Sequence, residues 1–457
     1  MPGSTSNNRI KLTPAQTLIL TWSSVIFIGA FLLMLPISRL KPLSFVDALF
    51  TSASSVCVTG LMTVNISGTF TVFGQVVILF LIQIGGIGII AAGTFFMLLL
   101  GRAVPMNDWS TIRNTYTSSK ELSIRRLIIK IIIMVFCVEA VGTLVLTLIW
   151  SGRIGFTRAL YSGLFHSVSA FNNAGISILP DGLYGMEKTF AADLTVTVLI
   201  ILGGLGFVTI TELISFGKRG PHRKKGFSLQ TRIILFFTFL LISVGTICFF
   251  IFEYNHALAG KPIQEQLMVS FFQSVSARTA GFANIHIDEL NNESIYTLIL
   301  LMFVGGAPGS TAGGIKITAL AAMIAIVLSR YKGHEKANIF KRTIPETIVS
   351  HAITIISIAT LVVIFFTFIL LVTEYNPVSG LGDERGEFLK MVFEAVSALG
   401  TVGLSLGETP LLSLPGKIAI IMLMLIGRLG PLTVIMAIRT SKSRSAYHYA
   451  EENIMVG

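Results

Sequence analysis

The chain has 457 residues, of which 53% are hydrophobic and only 12% are charged, and it carries a net charge of +11. So few charged residues cannot cover an apolar core with a polar surface, so the composition excludes an ordinary water-soluble protein and predicts an integral membrane protein. A positive net charge also occurs in proteins that bind nucleic acid, but membrane proteins with several spans carry the same excess in their cytoplasmic loops. Where the charges lie distinguishes the two classes.

Apolar runs long enough to cross a bilayer occur eight times along the chain. They cover residues 15–36, 71–100, 127–150, 194–217, 231–252, 296–328, 348–373 and 417–438. The polar stretch 1–11 leads into the first run without a signal-peptide cleavage site, so we interpret that run as the first span. An even number of spans places both termini on the same side of the membrane.

The basic residues are concentrated on one side of these spans. Of the 34 Lys and Arg, 22 lie in the N-terminus, in the segments 101–130, 218–232 and 330–342, and in the tail from Arg439, whereas about 15 of the 23 acidic residues fall on the other side. The positive-inside rule therefore predicts that both termini face the cytoplasm. Since the membrane accounts for the basic segments, we expect no nucleic-acid partner. The acidic outer side would attract cations.

Motifs for a cofactor, a metal or catalysis are not apparent. We expect Cys57, Cys137 and Cys248 to be free thiols, and the seven histidines do not show metal-ligand spacing. Residues 86–91 fit the GxGxxA form of a dinucleotide fingerprint, but they lie within an apolar run, so we interpret them as close helix packing. Without a catalytic triad, paired carboxylates or a P-loop, the sequence predicts no enzyme and no covalently bound cofactor.

One short pattern recurs four times, once in each pair of predicted spans. The copies read FTSASSVCVTGL from Phe50, FHSVSAFNNAGI from Phe165, FQSVSARTAGF from Phe272 and FEAVSALGTVGL from Phe393. They share a serine, at Ser54, Ser169, Ser276 and Ser397, and a glycine, at Gly60, Gly175, Gly281 and Gly403. A pattern repeated at this regular place predicts four structural repeats, over residues 1–100, 101–220, 221–342 and 343–457.

Each copy is a helical segment of roughly 11 residues, which reaches only about halfway across the hydrocarbon. The segment must therefore enter and leave the membrane on the same face, and such backbone is tolerated when it lines a water-filled cavity. Glycine permits a positive φ, which can turn successive carbonyl oxygens towards an axis where they replace the hydration shell of potassium. The predicted filter residues are Val58, Thr59, Gly60, Asn173, Ala174, Gly175, Thr279, Ala280, Gly281, Thr401, Val402 and Gly403. We expect the four phenylalanines to be packing anchors and the four serines to satisfy helix carbonyls.

The segments VCVTGL, FNNAGI, ARTAGF and LGTVGL resemble, in order and position, the four filter sequences of the Trk/Ktr/HKT superfamily of potassium transporters, and the chain resembles the Ktr-type membrane subunit over nearly its whole length. The resemblance implies an all-α membrane protein of four parallel M1–P–M2 repeats, in which M1 and M2 are spans and P is a re-entrant helix. Eight transmembrane helices and four re-entrant helices would surround one central pore for potassium uptake across a bacterial plasma membrane. Glycine at all four filter positions goes with a preference for potassium in this family.

The resemblance also implies partners. Ktr-type subunits form homodimers on a cytoplasmic ring of regulatory subunits that bind ATP or ADP, and sodium is a candidate activator. The basic segments 218–232 and 330–342 are candidate contacts for that ring, and anionic membrane lipid is the alternative.

The sixth apolar run contains five glycines and a proline that cannot remain α-helical without a large cost. These residues are Gly305, Gly306, Ala307, Pro308, Gly309, Ser310, Thr311, Ala312, Gly313 and Gly314. One interpretation is a kink where small residues allow helices to approach. The family resemblance instead implies an intramembrane loop that gates the pore beneath the filter.

A charge lies within the last apolar run. Where the other second spans have a Gly-Gly pair, the fourth has Gly427-Arg428. An arginine at this depth costs about 2.5 kcal/mol or more unless it faces water or a partner, so we expect Arg428 to face the pore and form a barrier together with the loop. Lys316 and Glu139 are further intramembrane charges without an evident partner, and we expect structural or snorkelling roles for both.

Two other classes of protein are compatible with many spans. A secondary transporter of an organic solute could use the broken sixth span as its substrate site. Its repeats would be expected to invert across the membrane, whereas the four units here all begin on the same side. A receptor or scaffold without transport would leave the four filter-like segments unexplained.

Overall fold

The computed structural model describes residues 13–88, 124–179, 182–184, 189–217, 226–374 and 384–438. The first two stretches contain α1 (Pro14–Met34), α2 (Phe45–Cys57), α3 (Ile66–Thr69), α4 (Val72–Ile87), α5 (Ile124–Ile154) and α6 (Phe156–Phe171). Next come α7 (Phe190–Gly204), α8 (Phe207–Gly217), α9 (Leu229–Glu253), α10 (Ile263–Ser276), α11 (Asn292–Phe303) and α12 (Ile317–Tyr331). The last are α13 (Glu346–Thr373), α14 (Glu384–Gly400), α15 (Leu414–Leu429) and α16 (Pro431–Ile438).

The described part of the chain is almost entirely helical, apart from a small hairpin. Its strands β1 (Asn338–Ile339) and β2 (Arg342–Thr343) pair antiparallel between α12 and α13. The turn residues Phe340 and Lys341 both have positive φ, as a two-residue hairpin turn requires. The hairpin therefore lies at the end of the basic segment 330–342.

In the described part of the chain, four helices are long and apolar enough to cross a membrane, and they are α1, α5, α9 and α13. The bent pair α7–α8 would make a fifth span if it is taken as one. Each long helix is followed in the chain by a short one of 13 to 17 residues, and these short helices are α2, α6, α10 and α14. Each unit thus begins with a long helix and a short helix, and one or more further helices follow the short one.

Several helices start where the sequence supplies a capping side chain. In five helices, the side chain before the first turn accepts a hydrogen bond from a backbone N–H in that turn. These capping residues are Thr13, Ser44, Thr71, Ser228 and Ser413. Such a cap satisfies one of the free N–H groups at a helix start. In the apolar surroundings of a membrane protein, an unsatisfied N–H group would be especially costly.

The second helix of each unit ends or is interrupted at an equivalent point. Glycines with positive φ end α4 at Gly88, separate α7 from α8 at Gly206 and separate α15 from α16 at Gly430. The α7–α8 pair bends by 100° there. The apolar runs 194–217 and 417–438 are thus each divided at a glycine, and the break predicted in the sixth run is confirmed between α11 and α12. The last residues of the run 71–100 lie outside the described part of the chain.

The four short helices pack in a closed cycle. Each contacts the long helix that precedes it in the chain and also the second helix of the preceding unit: α6 packs on α4, α10 on α7, α14 on α11 and α2 on α15. An ion pair of 2.8 Å between Lys417 of α15 and Asp47 of α2 joins the last unit to the first. The short helices therefore surround a common centre.

Candidate ion pathway

The predicted filter residues form four short strands, each directly after or within a few residues of the end of a short helix. Each strand enters with a non-glycine residue in the left-handed region: φ is 56° at Val58, 59° at Asn173, 73° at Thr279 and 50° at Thr401. The glycines follow two residues later with φ of 98° at Gly60, 64° at Gly175, 73° at Gly281 and 98° at Gly403. The positive φ predicted for the four glycines is confirmed.

The four glycines lie against one another's strands in a ring. A Cβ atom on Gly60 would lie 2.5 Å from the Ala174 carbonyl oxygen, and one on Gly175 would lie 2.6 Å from the Ala280 carbonyl oxygen. A Cβ atom on Gly281 would overlap the Val402 carbonyl oxygen in the same way, and one on Gly403 would overlap that of Thr59. The contacts therefore run from the first strand to the second, third and fourth and back to the first. Main chain meets main chain at all four positions, which leaves no room for a side chain.

The four serines bind the filter strands. The hydroxyl oxygens of Ser54 and Ser397 accept the N–H groups of Gly60 and Gly403, at 2.9 and 3.1 Å. Ser169 binds the N–H and carbonyl of the residue after its glycine, and Ser276 donates to the Phe282 carbonyl. The prediction that these serines satisfy helix carbonyls is wrong, because the strand folds back close enough to compete for the hydroxyl. The prediction that the phenylalanines are packing anchors is confirmed, since all four are buried.

A cavity of about 340 Å³ is lined by filter glycines and by residues that follow them in the chain, and not by the ends of the short helices. Gly175, Gly281 and Gly403 border it, together with residues that follow the filter strands, among them Ser177 and Ser405. Its wall is mostly formed by these outgoing loops. The ring therefore has a cavity at one mouth and the helix C-termini, with their partial negative charge, at the other.

The loop between α11 and α12 docks on the break between α7 and α8. The Ala307 N–H donates to the Gly204 carbonyl, and the Phe207 N–H donates to the Gly309 carbonyl, both at 3.0 Å. Gly206 has a φ of 84°, and a Cβ atom there would lie 2.9 Å from the Pro308 carbonyl oxygen. The loop thus satisfies the backbone groups that the broken helix leaves free.

Arg428 also holds this loop. Its Nη1 donates to the Thr311 carbonyl, and its Nη2 donates to the Gly85 carbonyl of α4. The guanidinium carbon also lies 5.6 Å from the centre of the Trp22 ring, within the range of a cation–π contact. The predicted proximity of Arg428 and the loop is confirmed, and the side chain links the first, third and fourth units.

The sequence of residues 5–448 matches the family model of TrkH, described as a cation transport protein. The chain belongs to the TrkH family of cation transport proteins. It is 36% identical to the Ktr system potassium uptake protein B of Bacillus subtilis over 451 residues, which are 98% of each chain. It is 34% identical to the potassium/sodium uptake protein NtpJ of Enterococcus hirae, again over 98% of each chain.

A solved structure shows the same fold. The crystal structure of the potassium transporter TrkH from Vibrio parahaemolyticus matches with a TM-score of 0.71, over 95% of this chain and 86% of that one, at 19% sequence identity. The prediction that the chain is not an enzyme is confirmed, because the TrkH family is a family of transporters. Among the described residues of this TrkH-family chain, no group of three or more His, Cys, Asp or Glu is placed to hold a metal ion.

The two other intramembrane charges have partners that the sequence did not reveal. Lys316 Nζ donates to the Ala312 carbonyl at 2.7 Å and so ties the loop to the start of α12. The Glu139 carboxylate accepts from Asn172 Nδ2 at 2.9 Å and from Gln83 Nε2 at 3.2 Å. Asn172 directly precedes the second filter strand, so Glu139 joins that strand to α4. These contacts support the structural roles expected for both charges.

Proposed function

We propose that the chain is the pore subunit of a potassium uptake system, in which potassium crosses the plasma membrane of a bacterium along the axis of the glycine ring. Four parallel M1–P–M2 repeats surround this single pore, with α1, α5, α9 and α13 as the first spans and α2, α6, α10 and α14 as the re-entrant helices. The observation that carries the proposal is the closed cycle of main-chain contacts from Gly60 through Gly175 and Gly281 to Gly403.

A potassium ion that leaves water needs oxygen ligands on several sides. Four strands whose main chains meet without side chains can supply carbonyl oxygens from four directions. The short helices end next to these strands, and their partly negative C-termini favour a cation over an anion. The name of the relative in Bacillus subtilis includes potassium uptake, and that of the relative in Enterococcus hirae includes potassium/sodium uptake; both names include potassium, which supports potassium as the ion.

The loop Gly305–Gly314 and Arg428 form the gate in this proposal. The loop is held by backbone hydrogen bonds to Gly203 and Gly204 and by the Arg428 side chain, so it crosses from the second unit towards the fourth. A loop of small residues can change its conformation at little cost, and the positive charge of Arg428 opposes the entry of a cation. Displacing the loop would therefore open the path.

Control of this gate comes from a cytoplasmic ring of nucleotide-binding regulatory subunits, on which the chain sits as a homodimer. The similarity to a Ktr system protein supports this part of the proposal. The hairpin in segment 330–342 exposes Lys336, Lys341 and Arg342, which gives the ring an accessible basic surface. The segment 218–232, the other candidate contact, lies mostly outside the described residues. Anionic lipid is the alternative partner for both.

The topology can be tested with single cysteines in a background from which Cys57, Cys137 and Cys248 have been removed. If both termini face the cytoplasm, Lys336→Cys reacts with an impermeant maleimide only in inverted vesicles, and Asp288→Cys only in intact cells. Both positions are exposed, so access within the protein does not limit labelling. Labelling of both from the same side would rule out the proposed orientation.

The function itself is tested by thallium uptake into proteoliposomes that contain the purified chain together with its regulatory subunits. Thallium replaces potassium in such assays, so we expect uptake that potassium inhibits much more strongly than sodium does. Uptake inhibited equally by both ions would remove the filter from the proposal. No uptake above empty liposomes, with the protein correctly inserted, would favour a non-transporting role.

A further inference from the structure

The residue that follows each of the four phenylalanines is buried within a short helix, eight or nine residues before the filter glycine. These residues are Thr51, His166, Gln273 and Glu394, and all four are fully buried. They occupy the same position in the repeat but have different chemistry. Three of them reach across to a residue eleven positions further along the chain, in what we call the exit loop, the residues that follow the filter glycine.

Glu394 makes the most extensive of these contacts. One carboxylate oxygen accepts the Ser405 hydroxyl and the Leu406 N–H, and the other accepts the Thr409 hydroxyl at 2.7 Å. Ser405 in turn accepts the Gly407 N–H at 3.0 Å. A buried carboxylate requires such donors, and hydrogen bonds to a charged acceptor are stronger than neutral ones. Glu394 therefore holds most of the fourth exit loop.

His166 holds the second exit loop through both of its ring nitrogens. Its Nδ1 lies 2.7 Å from the Ser162 carbonyl oxygen, which can only accept, so the proton is on Nδ1. In the neutral ring, Nε2 accepts the Ser177 hydroxyl at 2.8 Å, and Ser177 accepts the Leu179 N–H at 3.1 Å. One uninterrupted chain of hydrogen bonds thus runs from the short helix α6 into the exit loop.

The third unit uses an amide for the same purpose. Gln273 Nε2 donates to Asn284 Oδ1 at 2.9 Å, and Asn284 Nδ2 donates to Asp193 of α7 at 3.0 Å. The first unit differs, because the Thr51 hydroxyl donates to the Asp47 carbonyl within its own helix. Thr51 therefore provides an internal comparison at the equivalent position.

The exit loops are next to the ion path. Ser177, Ser405 and Thr409 line the cavity at the mouth of the filter, together with three of the filter glycines. The anchored residues Ser177, Asn284 and Ser405 lie only two or three positions after the filter glycines, so a displaced exit loop would also displace the filter strand. The main-chain oxygens of a filter discriminate between ions only if their spacing is held.

We propose that His166, Gln273 and Glu394 are positioning residues that set the ion selectivity of the filter by anchoring three exit loops from behind, and that Glu394 has the largest effect. This inference rests on the proposed filter function. The side chains act through Ser177, Asn284 and Ser405 and do not bind the ion themselves. Glutamine at Glu394 keeps one acceptor oxygen but removes the charge and replaces the other oxygen with a donor, so the hydrogen bonds that anchor the fourth exit loop would weaken.

The test compares Glu394→Gln with Thr51→Val in proteoliposomes, by the concentrations of potassium and of sodium that inhibit thallium uptake by half. The ratio of the inhibiting sodium concentration to the inhibiting potassium concentration measures the preference for potassium. We expect Glu394→Gln to lower this ratio about tenfold, as the loss of a charge-assisted hydrogen bond would do. Thr51→Val should leave the ratio unchanged. Thr409→Val, which removes a donor from the loop side, should lower the ratio in the same direction. Thr409→Val can therefore test the inference if Glu394→Gln does not fold. His166→Ala should have a smaller effect.

Gly403→Ser separates this inference from the filter proposal. If Gly403→Ser loses discrimination but Glu394→Gln and Thr409→Val keep it, the anchoring inference is overturned and the filter stands. If none of the three changes discrimination, the filter proposal is overturned with it. Thermal unfolding in detergent is measured in parallel. Lower thermal stability with unchanged discrimination would show that Glu394 only supports the fold.

Discussion

The filter and the breaks beneath it treat the fourfold repeat in opposite ways. At the filter, four different tripeptides adopt the same backbone, with a left-handed residue first and a glycine last. At the breaks, the units diverge. The first, second and fourth units interrupt or end a helix near a single glycine, whereas the third unit inserts a loop of more than ten residues. Only the fourth unit replaces a glycine with Arg428. The repetition suits surrounding an ion, whereas the divergence provides one movable element.

The largest expected effect comes from removing that element. Deleting Ala307–Thr311 takes away the backbone that bonds to Gly204 and Phe207 and the carbonyl that Arg428 holds. We expect thallium flux to rise at least about tenfold, which corresponds to a barrier lowered by about 1.4 kcal/mol. Flux should also become largely independent of nucleotide, because the element that the regulatory subunits bias is missing.

The control for the deletion is retained potassium preference in the same protein, which shows that the filter is intact. Flux no faster than the parent, together with a full response to nucleotide, would mean that the loop is a packing kink and that the gate lies elsewhere.

A smaller, few-fold rise in flux is expected for Arg428→Ala. This variant removes both the positive charge and the two hydrogen bonds to Thr311 and Gly85. Arg428→Lys separates the two contributions, because lysine keeps the charge but lacks the planar fork that reaches two carbonyls at once. If repulsion dominates, the Lys variant stays close to the parent, and if the clamp dominates, it approaches the Ala variant. Parent-like flux in both would remove Arg428 from the barrier.

The smallest effect on transport, but a clear one on stability, is expected for Glu139→Gln. Glutamine at this position turns an amide donor towards the donors of Gln83 or Asn172. A buried donor without an acceptor costs about 1–3 kcal/mol. The thermal unfolding midpoint in detergent should therefore fall, and it should stay unchanged for Glu293→Gln, which alters an exposed carboxylate. Equal midpoints for the two variants would contradict the role given to Glu139.

Much of the ion pathway could be predicted from the sequence because it depends on local patterns. A phenylalanine, a serine and a glycine at nearly constant spacing, one residue shorter in the third copy, located all four proposed filter strands. The proline-containing segment located the loop between α11 and α12. The breaks at Gly88, Gly206 and Gly430 were missed, because a single glycine within an apolar run is compatible with a continuous helix. Their positions depend on tertiary contacts, such as that of Gly206 with Pro308.

Side-chain partners could not be predicted for the same physical reason. The serines of the repeat could have bonded to the preceding helical turn, and only the return of the filter strand decides otherwise. Glu139 and Asn172 are 33 residues apart in the chain, and Gln83 is still further away from Asn172, so their contact follows from how two units pack. The arrangement of the exit loops behind His166 and Glu394 depends on the fold in the same way.

The selectivity of the Gly60→Ser variant tests the central claim most directly. A side chain at this position would meet the Ala174 carbonyl oxygen, and the φ of 98° is strained for any residue except glycine. The measurement is the sodium concentration that inhibits thallium uptake by half, divided by the corresponding potassium concentration, in protein shown to be folded and inserted. We predict a clear loss of the preference for potassium. An unchanged ratio would contradict the proposal that the glycine ring is the selectivity filter.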